Sequence, residues 1–224
     1  MNTLQSDVVA SHDWVSVQRA YEFSAPYNYA VIDNFLEPDA CEYLHRKILE
    51  HWGWRYKDWI SQHLHNSRLD IPEIFSIAET LKVCCPKLFQ EYELITHWAL
   101  MYTKNTPGRI HSDRSGINLN LWLTPEKYNL EPSRGGLVFF DVKADLTEMS
   151  TELLSSPSWY EEYVNKRTKG GKVIISYKCN RAILFDASTF HQTDVLNFAK
   201  SGVESHRINL SLAFDKPIKK EVIK

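Results

Sequence analysis

The spacing of apolar positions changes character near Glu93. Before it, helical periods dominate. From Ala40 to Trp52 the residues Cys41, Leu44, Ile48 and Leu49 recur at three- and four-residue intervals, which places them on one face of a helix. Asn34 to Asp39 supplies a turn and a helix cap, and Gly53 stands where a stop is expected. A second helix is predicted from Pro72 toward Lys82, with Ile74, Ile77, Ala78 and Leu81 on one face and proline in the first turn. A short helical piece follows over Pro86 to Tyr92, and one strand, Tyr29 to Asp33, precedes all three.

After Glu93 the texture becomes short runs of β-branched and aromatic residues: 94–103, 117–123, 136–142, 172–179, 181–186 and 208–214. Turn signals such as Thr106-Pro-Gly108 and Arg134-Gly-Gly136 separate them. The prediction is an α+β chain, mainly β, with an antiparallel barrel or sandwich and its helices on one outer face. One domain is expected over 1–224: helical support over about 1–92, a β core over about 93–215, and an insertion over about 143–171. That insertion carries Trp159, Tyr160 and Tyr163 and is too long for a hairpin loop; it is expected to be partly helical and reads as a mobile substrate lid or as a solvated helix that caps the barrel.

Composition narrows the function. A hydrophobic fraction of 43% with 24% charged residues belongs to ordinary globular proteins rather than disordered ones. No apolar run approaches the ~20 residues of a membrane helix. The net charge of −2 gives no pull toward nucleic acid or anionic lipid, so a small-molecule or peptide substrate is the expected partner. Oligomeric state is left open. Cys41, Cys84, Cys85 and Cys179 lack zinc spacing and read as reduced thiols. Met1 to Val17 lacks the basic start and apolar stretch of a secretory signal, so a cytoplasmic location is expected.

The chemistry is carried by a few polar residues. In a strand-like stretch residues two apart face the same way, so His111 and Asp113 can reach one metal. His191 follows the strand 181–186 and offers a second imidazole. Two imidazoles and one carboxylate on one face of a metal leave positions open, which suits non-haem Fe(II); zinc favours a closed tetrahedron. In the last strand, alternation puts Arg207, Asn209 and Ser211 on one face and Ile208, Leu210 and Leu212 on the other. A guanidinium at the end of that polar row can grip a carboxylate through two parallel hydrogen bonds.

These residues resemble the 2-oxoglutarate-dependent Fe(II) oxygenases of the double-stranded β-helix (jelly-roll) fold, including the phytanoyl-CoA and prolyl-hydroxylase-like branches. The matching parts are His111-Ser-Asp113, His191 in Phe-His-Gln-Thr, Arg207 with Ser211, and the stretches 117–125 and 135–141. The resemblance implies that Fe(II) is held by His111, Asp113 and His191 and that 2-oxoglutarate is the cosubstrate, its far carboxylate on Arg207. It implies that O₂ is consumed, 2-oxoglutarate is decarboxylated to succinate, and an unactivated C–H bond is oxidised. Halogenating members lack the carboxylate ligand; with Asp113 present, hydroxylation or a related oxidation is the expectation. The gap between His191 and Arg207 departs from the prolyl-hydroxylase-like pattern, so Arg181 and Lys178 stay open as alternative carboxylate partners.

Tyr102 reads equally as a cosubstrate contact and as a core aromatic, and Asn118 and Asn120 as pocket lining or as sheet asparagines bonded to backbone. His97 and His206 read as wall and filler. Trp52, Trp54, Tyr56 and Trp59, with His63 and His65 nearby, form a cluster readable as packing or as a rim for an aromatic or sugar-like substrate. Gly135-Gly136 reads as a turn needing positive φ. The competing functional class is a non-catalytic metabolite-binding module on the same barrel; a cupin-type enzyme would carry more histidines in its first motif.

Overall fold

In the computed structural model, which describes residues 8–58, 61–145, 147 and 157–217, two antiparallel sheets face each other. The larger uses β1 (Tyr29–Ile32), β2 (Arg55–Asp58), β3 (Gln62–Asn66), β4 (Glu93–Tyr102), β5 (Ile117–Trp122), β8 (Arg181–Asp186) and β10 (Arg207–Asp215), in the order β1-β8-β5-β10-β4-β3-β2. The smaller is β7-β6-β9, from β6 (Leu137–Lys143), β7 (Lys172–Ile175) and β9 (Thr189–Thr193). The mainly β reading therefore holds, but the helices are not confined to one outer face: α5 (Pro157–Arg167) packs beyond the smaller sheet.

Three apolar layers follow from strand alternation. On the outer face of the larger sheet, Ile208, Leu210, Leu212, Leu119 and Leu121 pack with Leu44 and Ile48 of α2 (Pro38–Glu50) and Ile74, Ile77 and Leu81 of α3 (Pro72–Cys84). These are the periodic positions of the predicted helices. Between the sheets lie Leu100, Tyr102, Trp122, Leu137, Phe139, Ile183 and Phe185. Beyond the smaller sheet, Tyr160, Tyr163 and Val164 pack with Val138, Phe140 and Phe190. Each buried leucine or phenylalanine contributes roughly 1.5–3 kcal/mol of burial, so these layers fix the sheets against each other.

Boundaries differ for local reasons. α2 starts at Pro38, which puts Asp39 in the first turn, where its charge suits the helix dipole, instead of at the cap. β7 stops at Ile175 because the chain turns back through Asn180, at φ 58°, and Arg181 Nη1 donates to Ser176 O. Gly135 has the expected positive φ of 86°, but Gly136 does not. Gly136 is needed for close approach: a Cβ there would lie 1.9 Å from Ile175 O.

The expected helical part of the insertion is present: residues 157–167 form α5, whose Trp159, Tyr160 and Tyr163 pack in the layer outside the smaller sheet. Residues 146 and 148–156 of that segment lie outside the described residues, as does Trp59.

Candidate metal centre and anion pocket

His111, Asp113 and His191 converge, with one potential ligand atom from each lying within 4.8 Å of the others. The backbone causes this. His111 and His191 form a mutually hydrogen-bonded antiparallel pair, His111 N to His191 O at 2.9 Å and His191 N to His111 O at 2.8 Å, so their rings stand side by side at 4.4 Å. Asp113, two residues on, donates its N–H to Ala187 O and turns its carboxylate to 3.6 Å from His191 Nε2.

The hydrogen bonds also select the tautomer. His111 Nδ1 donates to Arg109 O and His191 Nδ1 to Thr189 O, each at 2.9 Å, which leaves both Nε2 atoms as lone-pair donors. Burial, then the neighbouring His111, pushes the His191 pKa down to about 4, keeping the imidazole neutral as a ligand must be. Asn118 Nδ2 donates to Asp113 Oδ2, and Ser115 Oγ to Asn118 Oδ1, so the carboxylate is aimed by a short relay. This donor set fits a divalent transition metal with open positions.

Arg207 lies deeper, 1% exposed, with Asn209 and Ser211 on the same face of β10. Its Nε donates to Gly135 O at 2.8 Å, and its guanidinium lies 5.0–5.6 Å from the ring centroids of Tyr102, Trp122 and Tyr177. Nη1 is buried without a partner, and no carboxylate among the described residues pairs with it. Asp194, the acid nearest in influence, is bound by Arg134 at 3.0 Å. A buried guanidinium stays charged, so this atom is a donor available to an anion. The alternatives are spoken for: Arg181 and Lys178 both pair with Asp33, at 2.6 and 3.2 Å.

Arg207, Ser211, Tyr102 and Asn120 line one narrow cavity with the three converging residues, about 30 Å³ in volume. Ser211 Oγ donates to Asn120 Oδ1, and the Tyr102 hydroxyl meets Thr193 Oγ1 at 2.9 Å. Asn118 does not line the cavity; it serves Asp113. His97 bonds Leu69 O and His206 stays outside, as expected of wall residues.

An antechamber of about 290 Å³ adjoins the same centre, lined by Lys57, His63, His65, Trp98, Leu100, His111, Ser112, Asp113 and Tyr160. Sequence reasoning grouped His63 and His65 with the tryptophan cluster and missed this placement; Trp52 and Tyr56 are exposed and line neither cavity. Thr193, Trp98 and Leu100 were missed too. A far larger groove, about 1160 Å³, runs along α2 past Leu123 and Cys179 but contains none of the converging residues, so size does not mark the site.

No protein-family model matches the chain, and no curated protein matches it in sequence. Solved structures do. The epimerase SnoN from nogalamycin biosynthesis, crystallised with Fe3+, alpha ketoglutarate and nogalamycin RO, superposes with a TM-score of 0.65 at 14% identity over 91% of this chain and 85% of its own. A Pseudomonas putida prolyl-4-hydroxylase gives 0.61 at 12% identity over 89% and 99%. HygX from Streptomyces hygroscopicus, with nickel and 2-oxoglutarate bound, gives 0.58 at 11% identity over 93% and 88%. The chain thus has the fold of 2-oxoglutarate/Fe(II) oxygenase structures, with its converging His-Asp-His cluster between the two sheets.

Proposed function

We propose that this protein is an Fe(II)- and 2-oxoglutarate-dependent dioxygenase that oxidises an unactivated C–H bond of a small molecule or peptide side chain, with hydroxylation the favoured outcome. The observation that carries the reading is Arg207: a buried cation without a carboxylate partner, sharing one narrow cavity with a two-histidine, one-carboxylate cluster. A dicarboxylate whose other end chelates a metal satisfies both at once.

In this reading His111, Asp113 and His191 hold Fe(II), while Arg207 takes the distal carboxylate of 2-oxoglutarate, with Ser211, Tyr102 and Asn120 lining its path. Fe(II) with 2-oxoglutarate and O₂ supplies an oxidant strong enough for C–H bonds, coupled to formation of succinate and CO₂. The chain contributes position. Asn118 keeps the Asp113 carboxylate turned to the cluster, and the backbone carbonyls of Arg109 and Thr189 keep both histidines in the ligating tautomer. Phe139 and Phe185, packed against His191 at 5.8 and 4.9 Å, exclude water from behind it. The neighbours support the class more than the outcome, since an epimerase and a carbocyclase stand beside a hydroxylase.

The test is succinate formation from 2-oxoglutarate with added Fe(II) and no further substrate, together with Mn(II) binding measured by equilibrium dialysis. Wild type should turn over slowly and bind one ion. His191→Ala should lose both while keeping its circular dichroism spectrum; retained turnover in that variant would sink the proposal.

A further inference from the structure

The antechamber has a charge imbalance. The antiparallel register pairs Lys57 with His63 and Arg55 with His65, so all four side chains leave one face of the β2–β3 hairpin. His65 in turn pairs with Leu100 of β4, which continues that face to Trp98 and the metal cluster. Three of the four nitrogen-bearing groups, Lys57, His63 and His65, line the cavity itself. Arg114, exposed, is a further cation near enough to act on Tyr160, though it does not line the cavity.

The acids near them are committed. Asp113 belongs to the converging cluster, and Asp58, on the other face of the hairpin, meets Arg109 at 3.3 Å. Lys57 has no ion-pair partner among the described residues. His63 is oriented by Nδ1, which lies 2.9 Å from Ser61 O, and its Nε2 has no hydrogen-bond partner among the described residues. Trp98 and Leu100, on the same sheet face, and Tyr160 of α5 provide apolar surface beside them.

We propose that the antechamber is a subsite for an oxyanion carried by the primary substrate, a carboxylate or phosphate, held by Lys57 and His65 while an apolar body lies against Trp98, Leu100 and Tyr160. This deepens the oxygenase reading and rests on it. The volume, about 290 Å³, stands at the lower end for small-molecule sites, so the substrate is a small amphiphilic acid or the acidic end of a longer one. The anion neutralises Lys57 at the rim, and His63 Nε2 accepts a hydrogen bond from an O–H or N–H nearer the metal.

The experiment uses protein loaded with Mn(II) and 2-oxoglutarate, titrated calorimetrically with three probes: 3-phenylpropionate, 3-phenylpropionamide and phenyl phosphate. The two anions should bind at least about tenfold tighter than the amide, and Lys57→Glu, a change on an exposed edge strand that spares the core, should erase the preference. Which anion binds better identifies the headgroup. Equal binding of acid and amide by wild type overturns the subsite, as does an unchanged preference in Lys57→Glu. Failure of all three probes while 2-oxoglutarate binding and uncoupled succinate formation persist overturns the subsite and leaves the oxygenase reading standing. Loss of those two signals overturns the oxygenase reading itself.

Discussion

Replacing Arg207 with methionine separates a ligand-binding charge from a structural one, because the two roles predict opposite signs. The guanidinium is buried, its Nη1 has no partner, and no acid among the described residues pairs with it. Exchange of a buried charged group for an apolar one of similar length is neutral or stabilising by about 1–4 kcal/mol where the charge lacks a well-satisfied partner. The ligand-free Arg207→Met protein should therefore melt at or above the wild-type temperature. With Mn(II) and 2-oxoglutarate at about 100 times Kd, the wild type gains about 2.7 kcal/mol, or about 5–11 °C for a chain of this size. Losing a buried charge pair costs about 2–5 kcal/mol of binding, raising Kd at least about 30-fold. At the same concentration the variant then keeps at most about 0.9 kcal/mol, a shift under about 4 °C. Thermal unfolding followed by circular dichroism, with and without ligand, measures both quantities. A full ligand shift in Arg207→Met, or a ligand-free melt several degrees below wild type, would refute the reasoning.

Asn118→Ala should leave the fold intact but lower Mn(II) affinity about 10–100-fold by equilibrium dialysis, since Asp113 loses the donor that aims it. Gly136→Ala should destabilise by about 1–3 kcal/mol or more in urea titration and weaken 2-oxoglutarate binding, because a Cβ 1.9 Å from Ile175 O must displace the turn whose Gly135 carbonyl holds Arg207. The metal-free protein should lose stability in acid as three buried histidines titrate: His45, His63 and His191 have folded pKa values lowered by burial to about 4, against about 6.5 unfolded. The unfolded chain binds more protons in that window, so stability is full above about pH 6.5 and declines toward pH 4, by up to about 1.4 kcal/mol per pH unit for each histidine; a flat urea midpoint between those limits would contradict it.

The parts of the site legible in the sequence are those that a strand's two-residue period controls. Arg207, Asn209 and Ser211 share a face of β10, and that face points at the cluster. His191 was recognisable because a regular strand, 181–186, leads into it. The short β9 itself was not seen, since four of its five residues are buried and no alternation survives. β2 hides for the opposite reason: Arg55, Tyr56, Lys57 and Asp58 are all exposed on a sheet edge, so no apolar pattern announces a strand. α1 (Trp14–Phe23) left a readable signal in Asp13, which caps Ser16 N, but its apolar face is thin, with Trp14, Val17 and Tyr21 only partly buried. The antechamber was out of reach because its walls come from the β2–β3 hairpin, β4, the segment His111–Asp113 and α5, parts distant in sequence that tertiary packing alone brings together.

The cluster sits on the partition between two cavities: Trp98, Leu100, His111 and Asp113 line both. Under the two proposals, a ligand anchored on Arg207 and a substrate entering past Lys57 would approach from different sides. Charge gives the division a physical reason. Within the inner cavity Arg207 contributes one positive charge and Asp113 one negative, while His191 stays neutral. A divalent metal and a dianionic cosubstrate add equal and opposite charge, so under the proposed function the inner site closes neutral, as a low-dielectric interior demands. That balance leaves nothing over for Lys57. Its charge, beside two imidazoles and without an ion-pair partner among the described residues, is left to meet an anion brought by the substrate, so under both proposals the electrostatics that would admit 2-oxoglutarate to the inner cavity would favour an acidic substrate in the outer one.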